Sequence, residues 1–472
     1  MAQTQPTRAF IPFTCGHLHI RYAGSGPPLI LLHECPRSSL SVLPLLEQLS
    51  SHYCCIALDT PGYGDSDPIV ASPGTATIED FVGALRQLLD RLQLEQVYLY
   101  GIHTGAAIAA EFGRHHPARV KHLFLDAPPA FTAPEQQSML THYLTPIVPE
   151  RDGSHLNAVW TRVLDQQTYF PFYDRRPQTR LTAVRRDLEF VHRTAMGFLA
   201  AGDDYPTAYR AAILYPMAGV LSELADIPFT LFGRHDDLLV AHMQRLPVAG
   251  TVLQGLQDIA RLMRQPLANN RLATVTAAEL TSRQCARRRY LKLSTTSVYI
   301  EMPAQFNGRM TLRSPFINRG AASDAATASA AIDLPGFGLS DLNLAMPTDT
   351  ETCQQLFLNT ATAAAKALGA NLAPVSPGTD WLRLLLSQLG ILPDDWNIDG
   401  SINSRHTSRL PLPNLRLDWS GAHLLAAWTA ARDIAESLST DTDDAPTTLR
   451  TTGQIFQYLI RSRETVTNFC KL

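Results

Sequence analysis

The chain has 472 residues, 45% hydrophobic and 18% charged, a globular composition with enough apolar material for a sizeable core. Forty Lys+Arg against 43 Asp+Glu leave a formal net charge of −3, so neither nucleic acid nor an anionic membrane is an expected partner. No apolar run reaches the roughly 18 residues of a membrane span, and MAQTQPTRAF lacks a basic-then-apolar leader. Seven cysteines without a CxxC pair fit reduced thiols, and a cytoplasmic location is expected.

Short apolar runs alternate with amphipathic stretches from residue 17 to about 130. Leu29–Leu32 follows the turn-forming Gly24-Ser-Gly-Pro-Pro28 and reads as a buried strand. Residues 40–50 read as a helix, with Pro44 in its first turn, and Cys54–Leu58 as the next strand. Thr77 opens a helix carrying Phe81, Leu85, Leu88, Leu89 and Leu92 at helical spacing. Val97–Tyr100 is a third strand, 106–116 a helix and His122–Leu125 a fourth strand. This βαβα alternation predicts a parallel sheet with helices on both faces.

Residues 130–220 break the rhythm: they are rich in aromatic residues, Arg and Pro, and predict an inserted helical segment. The sheet resumes at Ile227–Phe232, followed by Gly233-Arg-His-Asp236. Two motifs recur in order. Asp59-Thr-Pro-Gly-Tyr-Gly-Asp-Ser-Asp67 returns as Asp333-Leu-Pro-Gly-Phe-Gly-Leu-Ser-Asp341, identical at six of nine positions. Gly153–Asp165 returns as Gly421–Asp433, identical at seven of thirteen and sharing Gly, His and Trp in register. A tandem duplication is expected, with domains at 1–280 and 290–472.

The chemistry concentrates at Gly101-Ile-His-Thr-Gly105, where a strand meets a helix through G-x-X-x-G. This is the spacing of a nucleophile elbow, whose central residue sits on a strained turn with helix N–H groups behind it. With the His33-Glu-Cys-Pro36 loop, the DTPGYGDSD turn and Gly233–Asp236, it resembles the α/β-hydrolase superfamily over about residues 15–265. The resemblance implies an α/β-hydrolase-like, mostly parallel sheet with a helical cap at about 130–220. The repeat extends it, as a truncated, degenerate copy of the same fold, over 290–472.

Members of that superfamily usually carry Ser, Asp or Cys at the elbow and a histidine after the last strand. Here the elbow carries His103, and after His242 no histidine occurs until His406. His103 can serve as general base or nucleophile, oriented by a carboxylate; alternatively, a histidine simply tolerates the elbow's backbone in an inactive relative. Asp236 matches the superfamily's acid position, with Asp237 as the fallback. The resemblance also implies an oxyanion hole from the N–H groups of Glu34 and Thr104. His33, Cys35, His155 and Trp160 are candidate pocket residues; Cys35 reads as a small buried residue, and His155, which recurs as His423, as a structural or substrate-facing one.

In the second copy, Val375–Thr379 would stand at the elbow with Pro377 at its centre, and only 49 residues follow His423, too few to reach an acid strand. That copy suits packing, lid support or homo-oligomerisation. No metal-ligand set and no cofactor motif is expected. The leading expectation is an enzyme acting on a small ester or carbonyl compound through His103 and Asp236. A non-catalytic hydrolase-like binding or scaffolding protein, or a cofactor-free lyase, are the alternatives.

Overall fold

A computed structural model describes residues 6–69, 75–181, 187–224, 227–269, 272–283, 287–293, 296–302, 306, 309–312, 330–333, 340, 350–372, 415–438 and 445–461. The chain divides into two compact units. One comprises Met1–Ile147 and Val159–Cys285; the other comprises Val148–Ala158 and Ala286–Leu472. The division differs from the expected one in that the stretch 148–158 groups with the C-terminal residues rather than with the rest of the insertion.

The first unit is built on an eight-stranded sheet. Its strands are β1 (Thr7–Phe13), β2 (Gly16–Ala23), β4 (Pro28–Leu32), β5 (Cys54–Leu58), β6 (Val97–Ile102), β7 (Val120–Asp126), β8 (Phe229–Arg234) and β9 (Thr251–Leu253). They lie in the order β1-β2-β5-β4-β6-β7-β8-β9. From β5 onward every pairing is parallel; β1, β2 and β5 pair antiparallel. A short pair, β3 (Ser25–Gly26) with β10 (Val275–Thr276), lies apart from this sheet.

Burial explains the sequence pattern. β4 and β5 are buried at every position, which is why they read as unbroken apolar runs rather than alternating ones. Each fully buried Leu or Ile there contributes about 1.5–3 kcal/mol of transfer free energy. The region expected as one helix over 40–50 is a 3₁₀ turn, Ser39–Val42, running into α1 (Leu43–Leu49) with Pro44 in its first turn. Thr77 caps α2 (Ile78–Arg91) through a capping box with Asp80, the Thr77 N–H donating to Asp80 Oδ2 at 2.8 Å. α3 (Thr104–His115) follows β6 directly. Among the described residues, five α-helices lie between β7 and β8: α4 (Ala133–His142), α5 (Ser154–Gln166), α6 (Leu188–Ala201), α7 (Tyr205–Leu214) and α8 (Met217–Glu223). After β9 comes α9 (Leu256–Arg264).

The β1–β2 hairpin has no counterpart in the sequence reading, because the polar His19 and Arg21 interrupt its apolar pattern. Both are buried. His19 Nδ1 meets Asp59 Oδ2 at 2.8 Å, and Asp59 also accepts the N–H groups of Ser39 (2.6 Å) and Asp65 (2.8 Å). Burial alone would raise the Asp59 pKa, but His19 and Arg21 hold it well below the usual carboxylate range. The DTPGYGDSD turn is thereby a clamp on the sheet edge.

The second unit has a five-stranded sheet of β11 (Arg288–Lys292), β12 (Ser297–Glu301), β13 (Arg309–Leu312), β14 (Ala330–Ile332) and β15 (Asn371–Leu372), with α10 (Ala277–Thr281) preceding it in the chain and α11 (Thr350–Leu368) before β15. Its order is β11-β12-β14-β13-β15, with two antiparallel pairings followed by two parallel ones. The first five strands of the larger sheet run in the same order and senses. A hydrogen-bond triangle also occurs in both units. Ser66 Oγ donates to the Asp59 carbonyl at 2.7 Å and accepts the His19 N–H at 2.8 Å, while the Asp59 N–H donates to the His19 carbonyl at 3.0 Å. Ser340, Asp333 and Tyr299 make the same three bonds at 2.6, 2.9 and 3.1 Å. The described residues of this unit also include helices at Ala422–Leu438 and Ala445–Arg461. The expected elbow position of the second copy, Val375–Thr379, lies outside the described residues.

Candidate active site

The elbow forms because its two glycines leave no room for anything else. A Cβ on Gly101 would stand 2.1 Å from the Gly105 carbonyl oxygen, and one on Gly105 would stand 2.3 Å from that of Leu32. Strand and helix therefore cross at backbone contact, and His103 between them adopts φ 48°, ψ −112°. Such a backbone costs about 1–3 kcal/mol, stored here at the turn. The Ala106 and Ala107 N–H groups close onto the His103 carbonyl at 2.9 and 3.1 Å, fixing the start of α3.

The imidazole points at the loop after β8. His103 Nε2 lies 2.8 Å from Asp237 Oδ1. The expected partner, Asp236, is engaged by Arg234 two residues earlier, whose Nε donates to Asp236 Oδ1 at 3.0 Å. Asp237, the fallback, is the carboxylate that meets the ring, and its Oδ1 also accepts the Leu239 N–H at 2.8 Å. Burial favours the neutral form of the His103 ring, yet the Asp237 carboxylate outweighs it and the ring's pKa is raised above its usual 6.5. Reciprocally, burial would raise the Asp237 pKa, but His103 and the Leu239 N–H hold it down.

His103 and Asp237 border a cavity of about 380 Å³, within the range of small-molecule sites. Glu34, Cys35, Thr104, Asp126 and Asp236 border it too, with apolar walls from Leu45, Phe131, Met139, Phe170 and Ile213. The Glu34 carboxylate is held by Arg37 (2.8 Å) and Ser41 (2.9 Å). Burial opposes its ionisation, but Arg37 and His103 keep its pKa low. Thr104 is the first residue of α3, where first-turn N–H groups have no intrahelical acceptor. Burial pushes the Cys35 thiol up to about 12, so it is not a thiolate nucleophile at neutral pH.

Three candidate pocket residues stand elsewhere; the cavity's described lining does not include His33, His155 or Trp160. His33 is a loop brace: its Nε2 accepts the Thr60 N–H at 2.9 Å and its Nδ1 meets the Glu34 carbonyl at 2.9 Å. Trp160 is fully buried core. His155 belongs to the second unit, where its ring packs edge-on against Trp428 at 4.6 Å and Nδ1 accepts the Glu150 N–H at 3.0 Å.

Asp126 was missed by the sequence reading. It ends β7, one residue beyond the expected strand, opposite Ile102 of β6 and Phe232 of β8. Tyr100 Oη donates to its Oδ2 at 2.8 Å, while Oδ1 is buried without a hydrogen-bond partner. Burial foremost, and then the nearby Asp237 charge, push its pKa up to about 7. A carboxylate directly after the three apolar strand residues Leu123-Phe124-Leu125 was the available signal.

The loop after the last strand holds no histidine. Leu256 and Ile259 of α9 reach the cavity there instead. His242 is buried away from the lining; it accepts the Ala130 N–H at 3.0 Å, and burial, aided by Arg245, lowers its pKa to about 4.

A family model described as alpha/beta hydrolase fold matches residues 27–159. This chain carries the alpha/beta hydrolase fold. It is 43% identical over 107 residues to Epoxide hydrolase 3 of Siraitia grosvenorii, covering 22% of this chain and 34% of that protein. It is 32% identical over 105 residues to (E)-2-((N-methylformamido)methylene)succinate hydrolase of Acinetobacter baylyi, covering 22% of this chain and 39% of that protein. The matches thus span little more than a third of these curated relatives. Among solved structures, a Vigna radiata epoxide hydrolase mutant superposes with a TM-score of 0.44 at 16% identity, over 56% of this chain and 99% of that one. No helix among the described residues is long and apolar enough to cross a membrane.

Proposed function

We propose that the alpha/beta hydrolase unit hydrolyses a small, largely apolar ester or lactone, with His103 as general base and Asp237 as its orienting acid. The observation that carries this reading is the 2.8 Å contact between His103 Nε2 and Asp237 Oδ1 at the mouth of the elbow. That contact engages Nε2 and leaves Nδ1 to take a proton from water. The carboxylate fixes the tautomer and stabilises the imidazolium, as the acid of a catalytic triad does. The ring keeps 20% of its surface exposed, so water has access to it. Thr104, at the positive end of α3, would offer its backbone N–H to the developing oxyanion, with the Glu34 N–H joining it once released from the Glu34 carboxylate that it now meets. Apolar walls and a volume of about 380 Å³ set the size of the substrate.

A second reading, addition of water to an epoxide, is favoured by the name of the 43% identical relative. Both readings use the same base. The test is turnover of a panel of short esters, lactones and epoxides in ¹⁸O-labelled water. One label in the acid product supports the ester reading, and one in a diol supports the epoxide reading. No turnover of any member favours a non-catalytic binding protein, to which the lack of a histidine in the loop after β9 lends weight.

We further infer that the second unit is a truncated copy of the first. The repeated motifs, the common strand order and the two matching hydrogen-bond triangles support this reading. No catalytic role is assigned to that unit.

A further inference from the structure

We propose that Asp126 is a further catalytic residue, a carboxylic acid that protonates the leaving oxygen of the substrate while His103 takes a proton from water. This rests on the hydrolase reading above. Asp126 borders the same cavity as His103, and the residue is almost fully buried at 2% exposure. One carboxyl oxygen, Oδ2, is committed to the Tyr100 hydroxyl at 2.8 Å; the other, Oδ1, has no partner. A buried carboxylate oxygen without a donor is unfavourable, and a carboxyl so placed keeps its proton. Protonated on Oδ1, Asp126 becomes a donor without an acceptor, and a turn of the carboxyl toward the cavity that Asp126 borders would present it to a substrate oxygen.

The charges around it favour the same form. Tyr100 on β6, His103 at the elbow, and Arg234 and Asp237 at the end of β8 are the groups that act on it. The Asp237 carboxylate, kept ionised by His103, disfavours a second negative charge nearby. Burial, the largest effect, acts in the same direction; Tyr100, His103 and Arg234 oppose it, and the balance is a pKa of about 7. Two carboxyl groups of one cavity are thus driven apart in acidity, the arrangement that divides acid from base roles.

The protons balance. Water forms the new C–O bond, its proton passes to His103 Nδ1, and the carbonyl electron pair moves onto oxygen. That pair then returns, the bond to the alcohol oxygen breaks, and the departing oxygen takes the Asp126 proton. The imidazolium proton moves to the Asp126 carboxylate through water, restoring both groups. Ester and water give acid and alcohol, with no other reactant. A substrate with an unactivated alkoxide leaving group needs this donor most.

Wild type, Asp126→Asn and His103→Ala are to be compared on a p-nitrophenyl ester and an ethyl ester of the same acid. Asn keeps the shape and the Tyr100 acceptor but has no acidic proton; near-ultraviolet circular dichroism verifies its fold. General acid catalysis contributes roughly 10²–10⁴-fold. The expected result is an ethyl-ester loss in Asp126→Asn larger by about 30-fold or more than the p-nitrophenyl-ester loss, with His103→Ala losing both alike. Equal losses on the two esters, or none, overturn the role of Asp126 while a dead His103→Ala leaves the base reading standing. An active His103→Ala overturns the base reading alone.

Independently of turnover, the infrared difference between wild type and Asp126→Asn at pH 6 is expected to show a protonated carboxyl band that fades through about pH 7. A band of the ionised form only at pH 6 overturns the proposal. Tyr100→Phe removes the one hydroxyl donor to Asp126, and the midpoint of that fading is expected to move upward; an unmoved midpoint also contradicts it.

Discussion

His103 Nε2 and Asp237 Oδ1 meet at 2.8 Å although 134 residues of chain separate them. The same carboxylate oxygen holds the Leu239 N–H, so the acid is anchored by its own loop before it orients the ring. Asp236, its neighbour, is occupied by Arg234. Two adjacent, chemically identical side chains therefore have different partners. Asp237→Asn is expected to reduce turnover by about 10² or more, since it removes the charge that holds the reacting tautomer. Asp236→Asn is expected to cost less than about threefold, a surface-pair loss of well under 1 kcal/mol. Steady-state kinetics of the two variants decide between them; a reversed order would return the acid role to Asp236.

The pH profile provides a second check. A general base works deprotonated, so the rate rises as pH passes the ring's pKa, which lies above 6.5. Burial is the largest influence on that ring and acts to lower its pKa; Asp237 reverses the balance. With Asp237→Asn the rising limb should therefore move to lower pH, even as the plateau falls. With Asp126 also required in its protonated form, the wild-type rate for alkyl esters should fall again as pH passes about 7. A limb that stays in place in Asp237→Asn would separate the limb from His103.

The elbow's glycines allow a stability test that needs no substrate. Gly105→Ala must displace backbone, since its Cβ falls 2.3 Å from the Leu32 carbonyl oxygen. Loss of folded protein, or destabilisation by about 3 kcal/mol or more, is expected. Gly83, within α2, has open space where a Cβ would be, and Gly83→Ala is expected to stabilise by about 1 kcal/mol. Denaturant unfolding compares them, and a tolerated Gly105→Ala would contradict the close crossing of β6, α3 and β4.

Much of the first unit's frame was legible because its signals are local. Strand, Gly101-Ile-His-Thr-Gly105 and helix are contiguous, and Thr77 with Asp80 announces α2 within four residues. What was illegible depends on contacts between distant segments. Choosing between Asp236 and Asp237 required knowing that Arg234 turns back on Asp236, and no period governs a loop. Asp126 was lost with the strand end, placed at Leu125, one residue short. His19 and Arg21 gave no strand signal, because the Asp59 turn that lets them be buried lies some 40 positions along the chain. His155 and Trp160 sit among aromatic residues, as a pocket wall would, but the direction each faces is set by packing.

Buried neutral histidines make a pH-dependent contribution to stability. His242 and His122 have pKa values lowered to about 4, in both cases chiefly by burial. Above pH 6.5 such a group is neutral whether folded or unfolded and contributes nothing. Between 6.5 and about 4 the unfolded chain takes a proton that the folded one refuses, so stability falls as pH falls; below about 4 the loss levels off. In His242→Gln, whose side chain can still accept the Ala130 N–H, the urea midpoint should decline less steeply over that interval than in wild type. Identical slopes would mean that His242 ionises freely in the folded protein.

The central claim is that His103 supplies the base. It is tested most directly by the turnover of the best ester or lactone of the panel by wild type and His103→Ala, on samples matched for fold by circular dichroism. A drop of about 10² or more in kcat with a nearly unchanged KM is the result expected of a base lost from an intact pocket. Turnover by His103→Ala equal to that of wild type would contradict the account and place the chemistry away from the elbow.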